Sequence, residues 1–140
     1  MSVKTYKGSC HCGAVRYEAD LDLSTGTTRC NCSYCSKVRA WFSFAKGKDK
    51  FRLLAGSDAL TSYQWTPPGR TQPFLTFSFC KTCGVRTFAR GEMEQLGGVF
   101  HAIACATLDD AYDDLTAAPI RFVDGKHGNY EATPADTRLL

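Results

Sequence analysis

Cys80-Lys81-Thr82-Cys83-Gly84 separates two runs rich in aromatic and β-branched residues, Phe74–Cys80 before it and Val85–Ala89 after it. Runs of this composition favour strands. The C-x-x-C-G between them has the spacing of a zinc knuckle. Two thiolates converge on one ion across a tight turn, and the glycine tolerates the backbone geometry that follows. The stretch therefore reads as two strands meeting at a ligand-bearing turn.

Similar segments lie outward on both sides. Ala14–Ala19 alternates, with Val15, Tyr17 and Ala19 on one face and Arg16 and Glu18 on the other. Trp41–Ala45, Phe51–Ala55, Leu60–Trp65 and Val99–Cys105 are short, apolar and bounded by turn residues. Helix signals are confined to Gly91–Leu96 and Asp109–Leu115, each long enough for a turn or two. The pattern predicts a mainly β, mostly antiparallel fold with little helix. At 140 residues the chain suits one domain spanning 1–140, with a core over about 4–125 and a polar, turn-rich tail over 126–140.

A hydrophobic fraction of 44% and a charged fraction of 22% are ordinary for a globular protein. No run approaches the roughly 20 apolar residues of a membrane-spanning helix. The first ten residues, MSVKTYKGSC, lack the apolar stretch of a secretory signal, so a cytoplasmic location is expected. The net charge of +3 is spread along the chain, which argues against nucleic acid and leaves room for a small anionic substrate. Nothing in the pattern sets the oligomeric state.

Eight cysteines are the unusual count. A secreted chain would use them as a disulfide framework; a cytoplasmic one points to metal or redox chemistry. Seven cluster: Cys10 and Cys12, then Cys30, Cys32 and Cys35, then Cys80 and Cys83. In an extended C-x-C the residues i and i+2 share a face, so both sulfurs can reach one metal. Structural zinc takes four protein ligands, whereas catalytic zinc takes three and keeps one position open. Seven divides as four plus three, but spacing leaves the pairing undecided. Cys10 and Cys12 could join Cys80 and Cys83, or two cysteines of the middle cluster. Iron–sulfur ligation is a lesser alternative. A thioredoxin-type reading of the C-x-x-C lacks its βαβ setting. Cys105, in the apolar run Val99–Cys105, reads as an inert core thiol, with a role as fourth ligand the minority reading.

The three clusters with their neighbours resemble the glutathione-dependent formaldehyde-activating enzyme family, which also includes centromere-protein-V-like proteins. The matching text is Gly8-Ser9-Cys10-His11-Cys12-Gly13-Ala14-Val15-Arg16-Tyr17, Cys30-Asn31-Cys32-Ser33-Tyr34-Cys35-Ser36 and Phe79-Cys80-Lys81-Thr82-Cys83-Gly84, followed by Phe88-Ala89-Arg90-Gly91 and Thr107-Leu108-Asp109. The resemblance runs from about residue 4 to residue 125 and implies an antiparallel β-tent with two zinc ions. It implies Cys10, Cys12, Cys80 and Cys83 as structural zinc ligands, and Cys30, Cys32 and Cys35 as ligands of a catalytic zinc. The implied activity is that of a carbon–sulfur lyase acting on the glutathione adduct of a small aldehyde, forming S-hydroxymethylglutathione from formaldehyde. The contrasting reading is a non-catalytic, zinc-stabilised binding or scaffold module. The text from Ile120 onward fits the family only loosely.

Glutathione has two carboxylates, so cations are sought near the middle cluster. Lys37 and Arg39 follow Cys35 directly, and Trp41 is an aromatic that could wall a cleft with Phe42, Phe44 and Trp65. Arg70, Arg86 and Arg90 rank behind them. His11, His101 and His127 are weak candidates for a general acid. Alternation aims His11 away from the metal.

Overall fold

The computed structural model describes residues 2–140. In chain order the elements are β1 (Lys4–Ser9), β2 (Arg16–Leu21), β3 (Thr27–Cys30), α1 (Ser33–Val38), β4 (Trp41–Lys46), β5 (Phe51–Ala55) and β6 (Leu60–Gln64). β7 (Thr76–Cys80), β8 (Arg86–Met93), β9 (Gly98–Ala104), α2 (Tyr112–Ala117) and β10 (Ile120–Val123) follow. They form a three-stranded sheet, β1-β2-β5, and a seven-stranded sheet, β10-β3-β4-β9-β8-β7-β6. The fold is mainly β, and every strand pair is antiparallel except β10 with β3.

The core lies where the two sheets face each other. Val15, Tyr17 and Ala19 are each fully buried, which bears out the alternation read from Ala14–Ala19. Tyr17 and Ala19 share one core cluster with Leu21, Leu23 and with Ala45, Phe88 and Ile103 of the larger sheet, whereas Val15 packs with Cys10 and Cys80. Tyr17 stacks on Phe51 with ring centroids 5.6 Å apart, and its hydroxyl lies 2.6 Å from Thr107 Oγ1. Gly8 is the cross-strand partner of Tyr17, and a β-carbon at Gly8 would overlap the tyrosine ring. Bare backbone is what allows so large a side chain to lie flat there.

Two helix expectations shift. Over Gly91–Leu96 the chain stays in β8 to Met93, pairing with β9 down to Met93 opposite Gly98, and only Glu94–Leu96 makes a 3-10 turn. Continuing a formed ladder is favoured over nucleating one isolated helical turn. Over Asp109–Leu115 the helix begins later, at Tyr112. Asp109 and Asp110 serve β1 instead: Ser9 Oγ donates to Asp109 at 2.7 Å and the Lys7 amide to Asp110 at 2.9 Å. Three strands the pattern did not single out, β1, β3 and β10, are short and carry polar residues. Helix α1 was likewise unforeseen; Cys32 is its N-cap, with the sulfur accepting the Cys35 amide.

Candidate metal centres

Cys10 follows β1, and Cys80 ends β7. The two loops that follow are built alike. The Cys10 amide donates to Val15 O at 3.1 Å and the Cys80 amide to Val85 O at 3.0 Å. Within each turn a glycine amide closes back on the first cysteine: Gly13 on Cys10 O at 3.2 Å, Gly84 on Cys80 O at 2.8 Å. These turns bring the Cys10, Cys12, Cys80 and Cys83 sulfurs within 4.8 Å of one another. Cys10 and Cys12 sulfurs are 3.6 Å apart, and Cys12 and Cys80 sulfurs 3.7 Å. A tetrahedral ion with sulfurs at about 2.3 Å spaces them about 3.8 Å apart, so the donor set fits zinc.

Backbone amides support the sulfurs, Val15 N on Cys10 at 3.3 Å and Thr82 N on Cys80 at 3.4 Å. The Cys83 thiol is drawn down to about 6, chiefly by a backbone hydrogen bond from Cys12. Val15, Leu53, Leu60 and Val85 pack around this group. The cluster therefore fastens the β1–β2 end of one sheet to the β7–β8 end of the other. The extended C-x-C geometry expected at Cys10 and Cys12 is replaced by a turn, with Cys10 buried and Cys12 exposed.

Cys30, Cys32 and Cys35 form the second group, their sulfurs also within 4.8 Å of one another. Cys30 ends β3, Cys32 caps α1, and Cys35 lies one turn on. The Cys32 amide donates to the Cys30 sulfur and the Cys35 amide to the Cys32 sulfur, both at 3.4 Å. Sulfurs this close share protons unequally. Hydrogen bonds from Cys30 and Cys35 hold the Cys32 thiol far below its usual range, while Cys30, Cys32 and burial push Cys35 far above it. A divalent cation among the three removes that conflict, so this donor set also fits a metal. Among the described residues the group has three members, one short of a closed tetrahedral site.

One flank of the trio is aromatic and cationic. Tyr34, between Cys32 and Cys35, lies 4.1 Å from the Phe77 ring centroid and 5.7 Å from that of Tyr63. The Arg86 guanidinium carbon sits 5.4 Å from the Tyr34 centroid and 5.7 Å from that of Phe77. The other flank comes from the chain after β10. Asn31 Nδ2 donates to Asp124 Oδ1 at 2.9 Å, and the Lys126 amide donates to Asn31 Oδ1 at 2.8 Å. Asp124 Oδ2 pairs with His127 Nδ1 at 2.8 Å. Tyr34, Tyr63, Phe77, Asn31 and Asp124 were not among the candidates. Tyr34 and Asn31 carried a signal, since each stands between two of the clustered cysteines; Asp124 carried none.

The remaining candidates sit as follows. Lys37 and Arg39 are exposed at the end of α1, Arg39 holding a left-handed backbone with φ 56° as its C-cap. Trp41 Nε1 donates to Thr27 Oγ1 at 2.8 Å, and Arg29 lies over its ring. Phe42 and Phe44 pack on each other within β4, and Trp65 is half-buried beyond the end of β6. Arg70 lies over Phe74, and Arg90 approaches Glu92 at 4.0 Å. His11 is exposed. His101 is buried against Phe51, its ring centroids 4.1 Å apart, and burial pushes its pKa down to about 4. Cys105 is fully buried and belongs to neither sulfur group, and burial pushes its thiol up to about 12. A groove of about 490 Å³ beside Thr27, Ser43, Lys46 and Arg121 is lined by none of the cysteines.

Comparison with known proteins places the chain in a family. The sequence pattern of the glutathione-dependent formaldehyde-activating enzyme family matches residues 5–122. A Halomonas elongata protein named after the same enzyme is 32% identical over 80 residues, covering 55% of this chain and 50% of that protein. The match thus spans half the length of that curated relative. A solved structure of a Rhodobacter sphaeroides protein superposes with a TM-score of 0.64 at 31% identity, covering 82% of this chain and 99% of the other. With all three cysteine clusters inside the matched stretch, the chain belongs to the glutathione-dependent formaldehyde-activating enzyme family.

Proposed function

We propose that the chain is a zinc enzyme that joins the thiol of glutathione to formaldehyde or another small aldehyde, working as a single domain in the cytoplasm. In the reverse direction it is a carbon–sulfur lyase. In this reading Cys10, Cys12, Cys80 and Cys83 hold a structural zinc, and Cys30, Cys32 and Cys35 a catalytic one. The observation that carries the reading is the second trio: three converging sulfurs, no fourth member among the described residues, and Arg86 over the ring of Tyr34, which stands between two of the three cysteines.

Zinc held by three thiolates supplies a place where a substrate thiol is kept as thiolate at neutral pH, although three negative ligands make it a modest Lewis acid. The chain's own residues do the rest. Cys30, Cys32 and Cys35 would hold the ion, and Tyr34, Tyr63 and Phe77 give the substrate an apolar wall. Arg86 meets no carboxylate within the protein among the described residues and offers its charge to a substrate carboxylate. The substrate sulfur attacks the carbonyl carbon, and one carbon–sulfur bond forms. The carbonyl π electrons pass to oxygen, which takes the proton the thiol gave up, and nothing is oxidised or reduced.

Because the adduct also forms unaided, the test is exchange at equilibrium. NMR of glutathione with formaldehyde should show the hydroxymethyl exchange rate rising with protein concentration. Cys32→Ser, with zinc retained at the four-cysteine group, should return it to the unaided rate. A Cys32→Ser protein that exchanges as fast as the parent would overturn the assignment.

A further inference from the structure

The chain beyond residue 122 lies outside the family match, yet it touches the second sulfur group directly. Strand β10 runs parallel to β3 and sets Val123 opposite Cys30. The next residues therefore run alongside Asn31 and Cys32. Asp124 is fixed by its own loop: its amide donates to Asn129 O at 3.2 Å and Ala132 O at 3.0 Å, and the Asn129 amide returns to Asp124 O at 3.0 Å. So anchored, its carboxylate accepts from Asn31 Nδ2, while the Lys126 N–H donates to Oδ1 of the same side chain. Both polar ends of Asn31 are used, so its orientation is defined by two partners.

Gly125 is the second contact. A β-carbon built on it would lie 2.6 Å from the Cys30 sulfur, 3.0 Å from Cys32 Cβ and 3.1 Å from Tyr130 Cε1. Its backbone lies outside the left-handed region. The missing side chain is needed for close approach to a sulfur rather than for a turn.

From these contacts we infer that the turn Asp124–His127 is a built part of the second sulfur centre. Asp124 is a positioning residue that acts through Asn31 to set the Cys30–Cys32 spacing, and Gly125 leaves the Cys30 sulfur its room. This rests on the reading of that centre as a metal site, and partners beyond the ligands commonly change metal affinity by about 10–100-fold.

The test compares full-length purified protein with Asn31→Asp, Gly125→Ala and the exchange Asn31→Asp/Asp124→Asn. Two readouts are taken: zinc transfer from each centre to a chromogenic chelator, and alkylation of each cysteine by iodoacetamide mapped by mass spectrometry. Asn31→Asp places two carboxylates together, and Gly125→Ala crowds Cys30. Each should speed zinc release from the second centre and labelling of Cys30 by about tenfold or more, leaving the first centre unchanged. The exchange restores a donor facing an acceptor and should recover most of the loss. Parent-like release and labelling in both single variants would overturn the inference. So would loss of zinc from both centres together, or an exchange no better than Asn31→Asp. If the parent carries zinc only at the first centre, the metal reading fails, and the Cys30 labelling rates alone decide the positioning role.

Discussion

The Arg86 guanidinium carbon lies 5.4 Å from the centroid of the Tyr34 ring. Arg86 stands two residues after Gly84 of the first sulfur group, and Tyr34 lies between two cysteines of the second. The contact joins the two sulfur groups through one side-chain pair and leaves a cation on the flank where the substrate is proposed to enter. Replacing Arg86 with methionine keeps an unbranched stem and removes the charge. Its expected effect is a KM for glutathione raised about tenfold with kcat nearly unchanged, the pattern of lost ground-state binding. A thiol without carboxylates should be affected far less. The fold should barely respond, because a cation–π pair at an exposed site contributes about 0.5–1 kcal/mol.

The two sulfur groups should differ sharply under substitution. Cys80→Ser removes a fully buried ligand from the group that fastens the sheets together, and metal binding at such a site is also folding energy. Loss of that zinc and of the cooperative thermal transition is expected. Cys35→Ser should lose one zinc and keep a transition within a few degrees of the parent. Metal content by mass spectrometry and thermal circular dichroism make the comparison.

Arg52 reaches across from β5 to β2, with Nε 2.7 Å from Glu18 Oε1 and a terminal nitrogen 2.7 Å from Asp20 Oδ1. The Arg52 hydrogen bond holds the Asp20 carboxyl below its usual value. A depressed carboxyl stabilises the fold above its ordinary pKa of about 4, and that share is lost as pH falls through the folded-state value. Asp20→Asn should therefore cost about 1 kcal/mol at pH 7, screened by partial exposure, and progressively less as pH falls through the folded-state value. Thiolate sites shed metal in acid in both proteins. The readout is therefore the parent-minus-variant difference in urea unfolding at each pH.

Gly8→Ala should destabilise by about 1–3 kcal/mol, the usual cost of overpacking, because the added methyl meets the Tyr17 ring. Tyr17→Leu alone leaves a cavity and removes one of the two partners of Thr107 Oγ1, which keeps its bond to Ala104 O. The double variant should cost less than the sum of the two, since the shorter side chain admits the methyl. Urea denaturation of the four proteins measures that coupling.

Cys105 should resist iodoacetamide in the native protein at pH 8 and react only in urea, because it is fully buried and burial pushes its thiol up to about 12. Chelating zinc from the second centre should not change its rate. Peptide mapping after alkylation reports it directly.

Local pattern made the strand class and the ligand set legible. Val15, Tyr17 and Ala19 alternate in the sequence and are buried together, because side chains on a strand repeat every two residues. Cysteines two or three apart announce chelation for an equally local reason. Composition did not show which clusters meet. Cys10 and Cys80 are joined only because β1 and β7 lie at the same end of two facing sheets, a relation between segments 70 residues apart. The cations point the same way. Lys37 and Arg39 are neighbours of Cys35 in sequence, yet α1 carries them to its exposed end, whereas β8 returns Arg86 to Tyr34.

From the sequence alone came a mainly β chain with seven clustered thiolates, since alternation and ligand spacing act over a few residues. Spacing left the division of those cysteines open and the family resemblance implied it; tertiary structure shows the two sulfur groups and alone decided what surrounds the trio. It also decided that Asp124 and Gly125, more than 90 residues from Cys30, stand beside it. The parallel pairing of β10 with β3 puts them there, and a backbone ladder between distant segments leaves no mark in the local pattern of either.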